Sequence, residues 1–267
     1  DLHSFPTRRS SDLQASTANV ATHNEMEQVM LDESRRTATV GEKTYLRLRA
    51  DIVSGRLLPG ERLTLDRMRE AYETSVGTLR ENLNRLSSEG LIVAEGSRGF
   101  QVTPISAANL REVAAMRCLL ESHALRESFE AGDMEWEGDV VAAHHKLASM
   151  EHRMQAGETS QARIWKQYDR EFHRALISAC GSRVLLEMHA VIYDRYLRYQ
   201  MVAAVHRGDV AAGEHKRLLD CALKRDWKGA QDTLTKHVQD CVSHMIDKRL
   251  VPWRRWRSPT VQRPEGS

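Results

Sequence analysis

Between residues 41 and 249, hydrophobic positions recur mostly with the period of a helix, and strand-like runs interrupt this pattern only in a region near the start. That region contains three short helical segments, whose ends lie beside glycine, proline or serine. Two strand-like runs follow, joined by Gly-Ser-Arg-Gly. The predicted helices span 42–54, 65–72 and 76–88, and the predicted strands span 91–94 and 100–103. This order is typical of a winged helix-turn-helix domain, which we place at residues 41–104.

Beyond Pro104 the helical period continues over six longer segments. Short connections rich in glycine and aspartate separate them, and Asp209 and Asp226 are natural N-caps. The segments are predicted at 107–131, 135–157, 161–180, 183–206, 210–225 and 228–249. Six helices with short connections predict an antiparallel bundle, which we place at residues 105–249. The expected fold class is therefore mainly α: an N-terminal winged helix-turn-helix followed by an all-α antiparallel helical bundle.

The two ends of the chain carry no such pattern. Residues 1–40 are polar and aperiodic, so we expect a disordered arm, and residues 250–267 are expected to form a flexible tail. The stretch SFPTRRSSDL at residues 4–13 is what a common short-read sequencing adapter encodes. We interpret residues 1–13 as an assembly artefact that carries no information about the fold.

Composition narrows the class of protein only slightly. The net charge of +2 does not by itself indicate a nucleic-acid partner, and no apolar run approaches the length of a membrane span. The four cysteines show no CxxC spacing, which favours reduced thiols over a disulfide framework or a cysteine-zinc site. We therefore expect a cytoplasmic protein.

Four residues of the predicted bundle have the chemistry of metal ligands. Asp169 and His173 are four positions apart on one helix, which places their side chains on the same face. His215 and His237 lie among apolar residues of two other helices. Three imidazole nitrogens and one carboxylate oxygen suit Zn, Ni, Mn or Fe better than Ca or Mg.

An ordinary structural role is also compatible with this spacing. Histidines on apolar faces are often core residues, and other histidines of the bundle have similar positions. These are His123, His144, His189 and His244. Spacing alone therefore leaves the metal site and the packed core as open alternatives.

The third predicted helix would read DNA, because the N-terminal part of this helix enters the major groove in helix-turn-helix proteins. Arg80 could make a bidentate contact to guanine, and Arg98 at the tip of the hairpin could reach the minor groove. The DNA-contacting set predicted in this way is Ser75, Gly77, Thr78, Arg80, Arg85, Arg98 and Gly99. Residues 41–104 hold ten basic and nine acidic side chains, which favours modest affinity and a homodimer on two half-sites. A protein-interaction winged helix is the alternative.

The chain resembles the GntR family of bacterial transcription regulators, in the FadR-type branch whose effector domain is the FCD helical bundle. The first domain carries IVSGRLLPGERL and LRENLNRLSSEGLI. The second carries MRCLLE, DREFHRAL, EHKRLLDCALKRDWKGA and TLTKHV in the family's order. The resemblance covers roughly residues 41–247. It implies that Asp169, His173, His215 and His237 are the metal ligands, and that Arg117 of the Arg117–Glu121 motif faces the effector.

The chain departs from the family's usual pattern in the helix that would read DNA. Val76 stands where the family usually has arginine, and Thr78 stands where proline is common. The departure removes one expected DNA contact, so the resemblance does not predict the operator sequence. The segments GDMEWEGDV and CGS resemble the branch that contains the carbon-starvation-induced repressor of glutarate use.

The proposed metal suggests an effector. A metal with three imidazoles and one carboxylate has further positions that a small carboxylate can fill. A second cation would hold the far end of a dicarboxylate or hydroxy acid. Arg117 is the first candidate for this role, and Arg195 and Arg198 are the next candidates. Alternatively, Arg117 only forms an ion pair with Glu121 on the same helix face.

Two other classes of function compete with a regulator. A metal-dependent hydrolase or oxygenase would need an acid or base beside the metal, but Glu171 is expected to point away and the two ExxH repeats of di-iron bundles are absent. A purely structural metal is the other alternative. We expect a non-enzymatic, ligand-responsive repressor of an organic-acid catabolic operon. It would bind operator DNA as a homodimer and hold a divalent metal, with zinc as the first choice.

Overall fold

The computed structural model of the protein describes residues 39–250 except 97–98, 159–160, 204 and 206. Almost all of the predicted arm and tail, including the adapter-like stretch, lies outside this range. No helix in the described part of the chain is long and apolar enough to span a membrane.

The N-terminal domain is a winged helix-turn-helix. Its elements are α1 Val40–Val53, β1 Arg62–Leu63, α2 Leu65–Tyr72, α3 Val76–Ser88, β2 Ile92–Ala94 and β3 Phe100–Val102. The strands form one antiparallel sheet in the order β1-β3-β2. Strand β1 was not predicted, because two residues are too few to show the alternation that marks a strand. The three predicted helices and the hairpin are confirmed.

Six helices follow and pack as a bundle. They are α4 Ala107–Ala131, α5 Met134–Gln155, α6 Ala162–Ile177, α7 Arg183–Val202, α8 Gly208–Leu223 and α9 Trp227–Asp247. Side chains of Ser106, Asp133, Ser182 and Asp226 cap four of these helices by accepting hydrogen bonds from backbone N–H groups. Helix α4 packs against α6, α7 and α9, while α5 packs against α6 and α8. The predicted fold class is therefore confirmed.

The described residues form two hydrophobic cores that meet at α7. The larger core lies inside the bundle, between all six of its helices. The smaller core lies inside the winged helix, and it includes Tyr193 and Leu197 from α7 of the bundle. Helix α7 also packs directly on α1. The two domains are therefore in close apolar contact along one helix.

Candidate metal centre and DNA-reading helix

Helices α6, α8 and α9 bring the four predicted metal ligands together inside the bundle. Asp169 and His173 extend from α6, His215 from α8 and His237 from α9. Each residue offers one ligand atom, and the four atoms lie within 4.8 Å of one another. All four side chains are buried. The packing of the apolar helix faces thus places these polar groups at one point.

Each of the three histidines is held by a glutamate on its other side. Nδ1 of His215 lies 2.7 Å from Glu151, and Nδ1 of His237 lies 2.8 Å from Glu214. Nδ1 of His173 forms a hydrogen bond with Glu121. With the Nδ1 proton donated to a carboxylate, Nε2 of a neutral imidazole ring retains a lone pair. This is the carboxylate–histidine arrangement that orients imidazoles toward a metal.

The inner atoms of the cluster lack the hydrogen bonds that buried polar atoms normally make. Among the described residues, Nε2 of His173, Nε2 of His215 and Oδ1 of Asp169 have no hydrogen-bond partner. Oδ1 of Asp169 and Nε2 of His215 lie 3.2 Å apart, so these two atoms form an ion pair only while the His215 ring is protonated. Leaving such atoms unsatisfied costs about 1–3 kcal/mol each. A cation at the centre would satisfy all of them.

The spacing of the ligand atoms also suits a divalent metal. Ligands that lie about 2.1 Å from one ion are at most about 4.2 Å apart, so only small side-chain rotations are needed. The chemistry of the donors, three nitrogens and one oxygen, is that of transition metals rather than of Ca or Mg. The residues present therefore fit a bound metal.

Burial and charge set the protonation of the ligands. Burial, opposed only in part by Glu214, lowers the pKa of His237 to about 3, so this ring is neutral. Burial opposes ionisation of Asp169 as well, but Lys166 and His215 hold its pKa well below the usual range. For His215, burial is outweighed by Asp169 and Glu151, which raise its pKa to about 9. A metal must therefore displace one proton from His215, which makes its affinity pH-dependent.

A second layer of contacts connects the cluster to α4 and α7. The hydroxyl of Tyr193 donates to Oδ2 of Asp169 at 2.9 Å, and Nε of Arg117 donates to Glu121 at 2.8 Å. His189 approaches the same carboxylate of Glu121 at 3.3 Å. The geometry thus fixes Asp169 and Glu121 through residues that are themselves buried.

A small cavity adjoins the cluster. It has a volume of about 10 Å³, which is room for about one water molecule. Lys166 and Arg207 are the two cations in its wall, and Asp169, His215 and His237 form part of its lining. In this conformation a carboxylate of four or five carbons does not fit beside the ligands.

The three arginines predicted to bind an effector lie in different surroundings. Arg117 is fully buried and forms the ion pair with Glu121, yet its two terminal nitrogens have no hydrogen-bond partner among the described residues. Arg198 is also buried and retains two such nitrogens, and burial lowers its pKa to about 10. Arg195 lies against Gly90 of the winged helix. None of the three lines the small cavity.

The N-terminal part of α3 presents most of the predicted DNA-contacting residues to solvent. Ser75, Gly77 and Arg80 are exposed, and Thr78 is half-buried. The Ser75 hydroxyl caps α3 by accepting from the backbone N–H of Thr78 at 3.1 Å. A Cβ atom at Gly77 would meet no atom closer than 3.7 Å, so the protein itself does not require glycine there. Glycine at this exposed position would allow a binding partner to approach the backbone closely.

The remaining predicted DNA contacts are placed differently. Arg85 stacks over the ring of Tyr45 and donates to Glu42 at 2.8 Å, so it already has partners within the domain. Gly99 has a φ of +89°, which favours glycine, at the end of the wing. Arg98 lies outside the described residues. Its predicted contact with the minor groove, like the others, stays a prediction.

Comparison with known proteins identifies the two domains. The family model for "Bacterial regulatory proteins, gntR family" matches residues 41–102, and the model for the FCD domain matches residues 112–240. The chain is 39% identical over 204 residues to the uncharacterized HTH-type transcriptional regulator BphR of Paraburkholderia xenovorans, covering 76% of this chain and 83% of BphR. The chain belongs to the GntR family.

Other relatives extend the comparison. This GntR-family chain is 29% identical over 202 residues to the HTH-type transcriptional repressor GlaR of Escherichia coli, covering 73% of this chain and 90% of GlaR. Among solved structures, E. coli McbR/YncC superposes with a TM-score of 0.67 at 19% identity, covering 80% of this chain and all of that one. That likeness supports the fold. The protein is a transcriptional regulator of the GntR/FCD type.

The sequence pattern alone does not reveal the three glutamates that hold the candidate ligand histidines of this GntR-family protein. The sequence predicts Glu121 only as a partner of Arg117, and it contains no motif that marks Glu151 or Glu214. The available signal was a glutamate on an apolar helix face: Glu151 lies one turn after Leu147, and Glu214 lies three positions after Ala211. A charged residue at a position with core spacing indicates a buried partner.

Proposed function

We propose that this regulator is a repressor that releases operator DNA when a small carboxylate binds near a metal in its FCD domain. The observation that carries the proposal is the convergence of three imidazoles and one carboxylate, each backed by a further polar residue, inside a bundle joined to a DNA-binding domain. Repressors among the relatives, such as GlaR, support the direction of control. The regulated genes would encode organic-acid catabolism.

Asp169, His173, His215 and His237 would hold the metal, with zinc as the first choice and Ni, Mn or Fe as alternatives. When bound, the ion supplies a Lewis-acidic centre with exchangeable positions for a carboxylate oxygen. Side chains of the protein would orient the metal ligands. The glutamates fix the imidazole rings, and the hydroxyl of Tyr193 orients Asp169.

The effector would be a dicarboxylate or hydroxy acid of about four or five carbons. Arg117 remains the first choice for its far end, since two buried guanidinium nitrogens without partners favour an anion. Arg195 and Arg198 are the next candidates. Lys166 and Arg207 are further candidates because they line the cavity beside the ligands. The cavity must widen to admit such a molecule, so effector binding would be coupled to a shift of the surrounding helices.

Helices α6 and α7 offer a route from this shift to the DNA-binding domain. Tyr193 binds Asp169, and its neighbour Asp194 lies 3.0 Å from Arg49 of α1 and 2.6 Å from Arg170 of α6. A movement of α7 at the metal would therefore change the contacts that hold α1. In a homodimer, this would alter the spacing of the two α3 helices and weaken binding to two half-sites.

The small cavity favours one other candidate, a regulator whose metal is purely structural. Room for about one water molecule suits a closed metal site as well as a closed conformation of an effector site. The two candidates differ in their response to organic acids.

A binding experiment on the full chain tests the proposal. The metal-loaded protein should retard DNA from upstream of its own gene, and an acid of about four to six carbons should both raise the melting temperature and weaken this complex, as linkage requires. Stabilisation by the acid should disappear after chelation. Retardation without any response to the acids would favour the structural metal, and failure to retard specific over random DNA would contradict the operator-binding function.

A further inference from the structure

A larger cleft lies between the two domains, where α1 faces α6 and α7. Its volume is about 330 Å³, which is in the range of small-molecule sites, whereas the cavity beside the metal ligands has about 10 Å³. The cleft shares one residue, Lys166, with that cavity. Clefts between domains are frequent ligand sites, because a ligand there touches both moving parts.

The wall of the cleft combines apolar surface with positive charge. Leu46 and Val53 of α1 face Leu197 and Met201 of α7. Five basic residues line the same space against two carboxylates, Asp51 and Asp194. These basic residues are Arg49, Arg56, Arg163, Lys166 and Arg170. An occupant with an apolar body and an anionic group matches both properties.

Asp194 now neutralises two of these cations. Its side chain is 2% exposed, and it pairs with Arg170 at 2.6 Å and with Arg49 at 3.0 Å. Burial raises the pKa of this carboxyl, although both arginines oppose the effect. An anion in the cleft would share Arg49 and Arg170 with Asp194. Since Arg49 belongs to the DNA-binding domain and Arg170 follows the metal ligand Asp169, occupancy would bear on both domains.

We propose that this interdomain cleft is a binding site for a small organic anion with an apolar body, separate from the metal-anchored effector. The metal ligands take no part in it. Failure of the metal site would therefore leave this proposal standing, and the converse also holds.

Two variants change the cleft at exposed positions, where folding should be preserved. Arg163→Glu reverses a charge at the rim of the cleft, and Ala50→Trp fills the space from α1. Arg174→Glu is the matched charge control, because Arg174 is exposed on the same helix but lines a different cleft. Ala142→Trp, at an exposed position of α5, is the matched control for bulk.

The probe is anilinonaphthalenesulfonate, which joins an apolar ring system to one anionic group and fluoresces when bound. Titration of the full-length, metal-loaded protein should give saturable binding. We expect Arg163→Glu and Ala50→Trp each to raise the Kd at least tenfold, about 1.4 kcal/mol. Arg174→Glu and Ala142→Trp should stay within about twofold of the parent, with metal content equal in all five proteins.

Three results would overturn the proposal. The first is the absence of saturable binding to the parent protein. The second is an unchanged Kd in both cleft variants, which would place the probe elsewhere, for example in the neighbouring cleft that Arg174 lines. The third is an equal loss of affinity in the cleft variants and their controls, which would show a general effect of charge or bulk.

Discussion

The two halves of this regulator keep their functional side chains in opposite surroundings. In the bundle, the four candidate metal ligands are buried and backed by other polar residues. On α3, Ser75, Gly77 and Arg80 are exposed to solvent. Unsatisfied polar atoms are costly inside a protein and nearly free on its surface. Burial therefore makes the geometry of the first site evidence for a ligand, whereas the second site rests on the position of α3 within a known type of domain.

The largest expected effect tests whether the buried half depends on a metal. Replacement of His215 or His237 with alanine should remove the ion and lower the melting temperature, because a ligand held at 100 to 1,000 times its Kd contributes about 3–4 kcal/mol. Metal analysis and thermal unfolding measure the two effects. His145→Ala, at an exposed position of α5, is the control. Equal metal stoichiometry in the parent and both variants would show that the site is assigned to the wrong residues.

A smaller effect is expected from the residues behind the ligands. Glu151→Gln should weaken metal binding about 10- to 100-fold, because the amide holds and polarises the His215 ring less well than the carboxylate. Competition against a chelator of known affinity measures this change. Glu130→Gln, on the exposed face of α4, should leave the affinity unaltered. If both variants bind metal like the parent, the glutamates only fill space.

Substitutions on the exposed face of α3 should change DNA binding without changing metal binding. Arg80→Ala should cost about 1–3 kcal/mol of operator binding if its contact to guanine is bidentate, and Thr78→Ala should cost less. Metal content should not change. Arg111→Ala, on the exposed surface of α4, is the control in the same gel-shift assay. Equal losses on specific and random DNA would show that Arg80 contacts only phosphate and that base reading lies elsewhere.

The smallest effect concerns the junction between the halves. Tyr193→Phe removes the hydrogen bond to Asp169, which should weaken metal binding by about 1 kcal/mol. The acid-induced loss of operator binding should also decrease, since Tyr193 and Asp194 are neighbours on α7. Tyr168→Phe on α6 serves as control. An unchanged response to the acid, with the weaker metal binding in place, would exclude this route between the domains.

Much of this structure follows from the sequence. Helical spacing predicts all six bundle helices, and the positions four apart on α6 place Asp169 beside His173. Helix ends are less well predicted: α7 ends at Val202, four residues before the predicted end. Apolar residues continue past that point in the sequence, so the pattern alone does not mark the end of the helix.

The supporting residues could not be predicted because they depend on contacts between distant helices. The partners His215 and Glu151 are 64 residues apart, and His173 and Glu121 are 52 apart. No local pattern connects positions so far apart. The interdomain cleft is hidden for the same reason, since its walls come from α1, α6 and α7.

The sharing of α7 between two hydrophobic cores has a consequence for how the molecule unfolds. Tyr193 and Leu197 complete the core of the winged helix while their own helix is part of the bundle. The boundary at residue 104 therefore separates two regions of the sequence, but it does not separate two units that unfold independently. Heating should melt both domains in a single transition, and an isolated N-terminal fragment would expose the apolar surface that α7 covers.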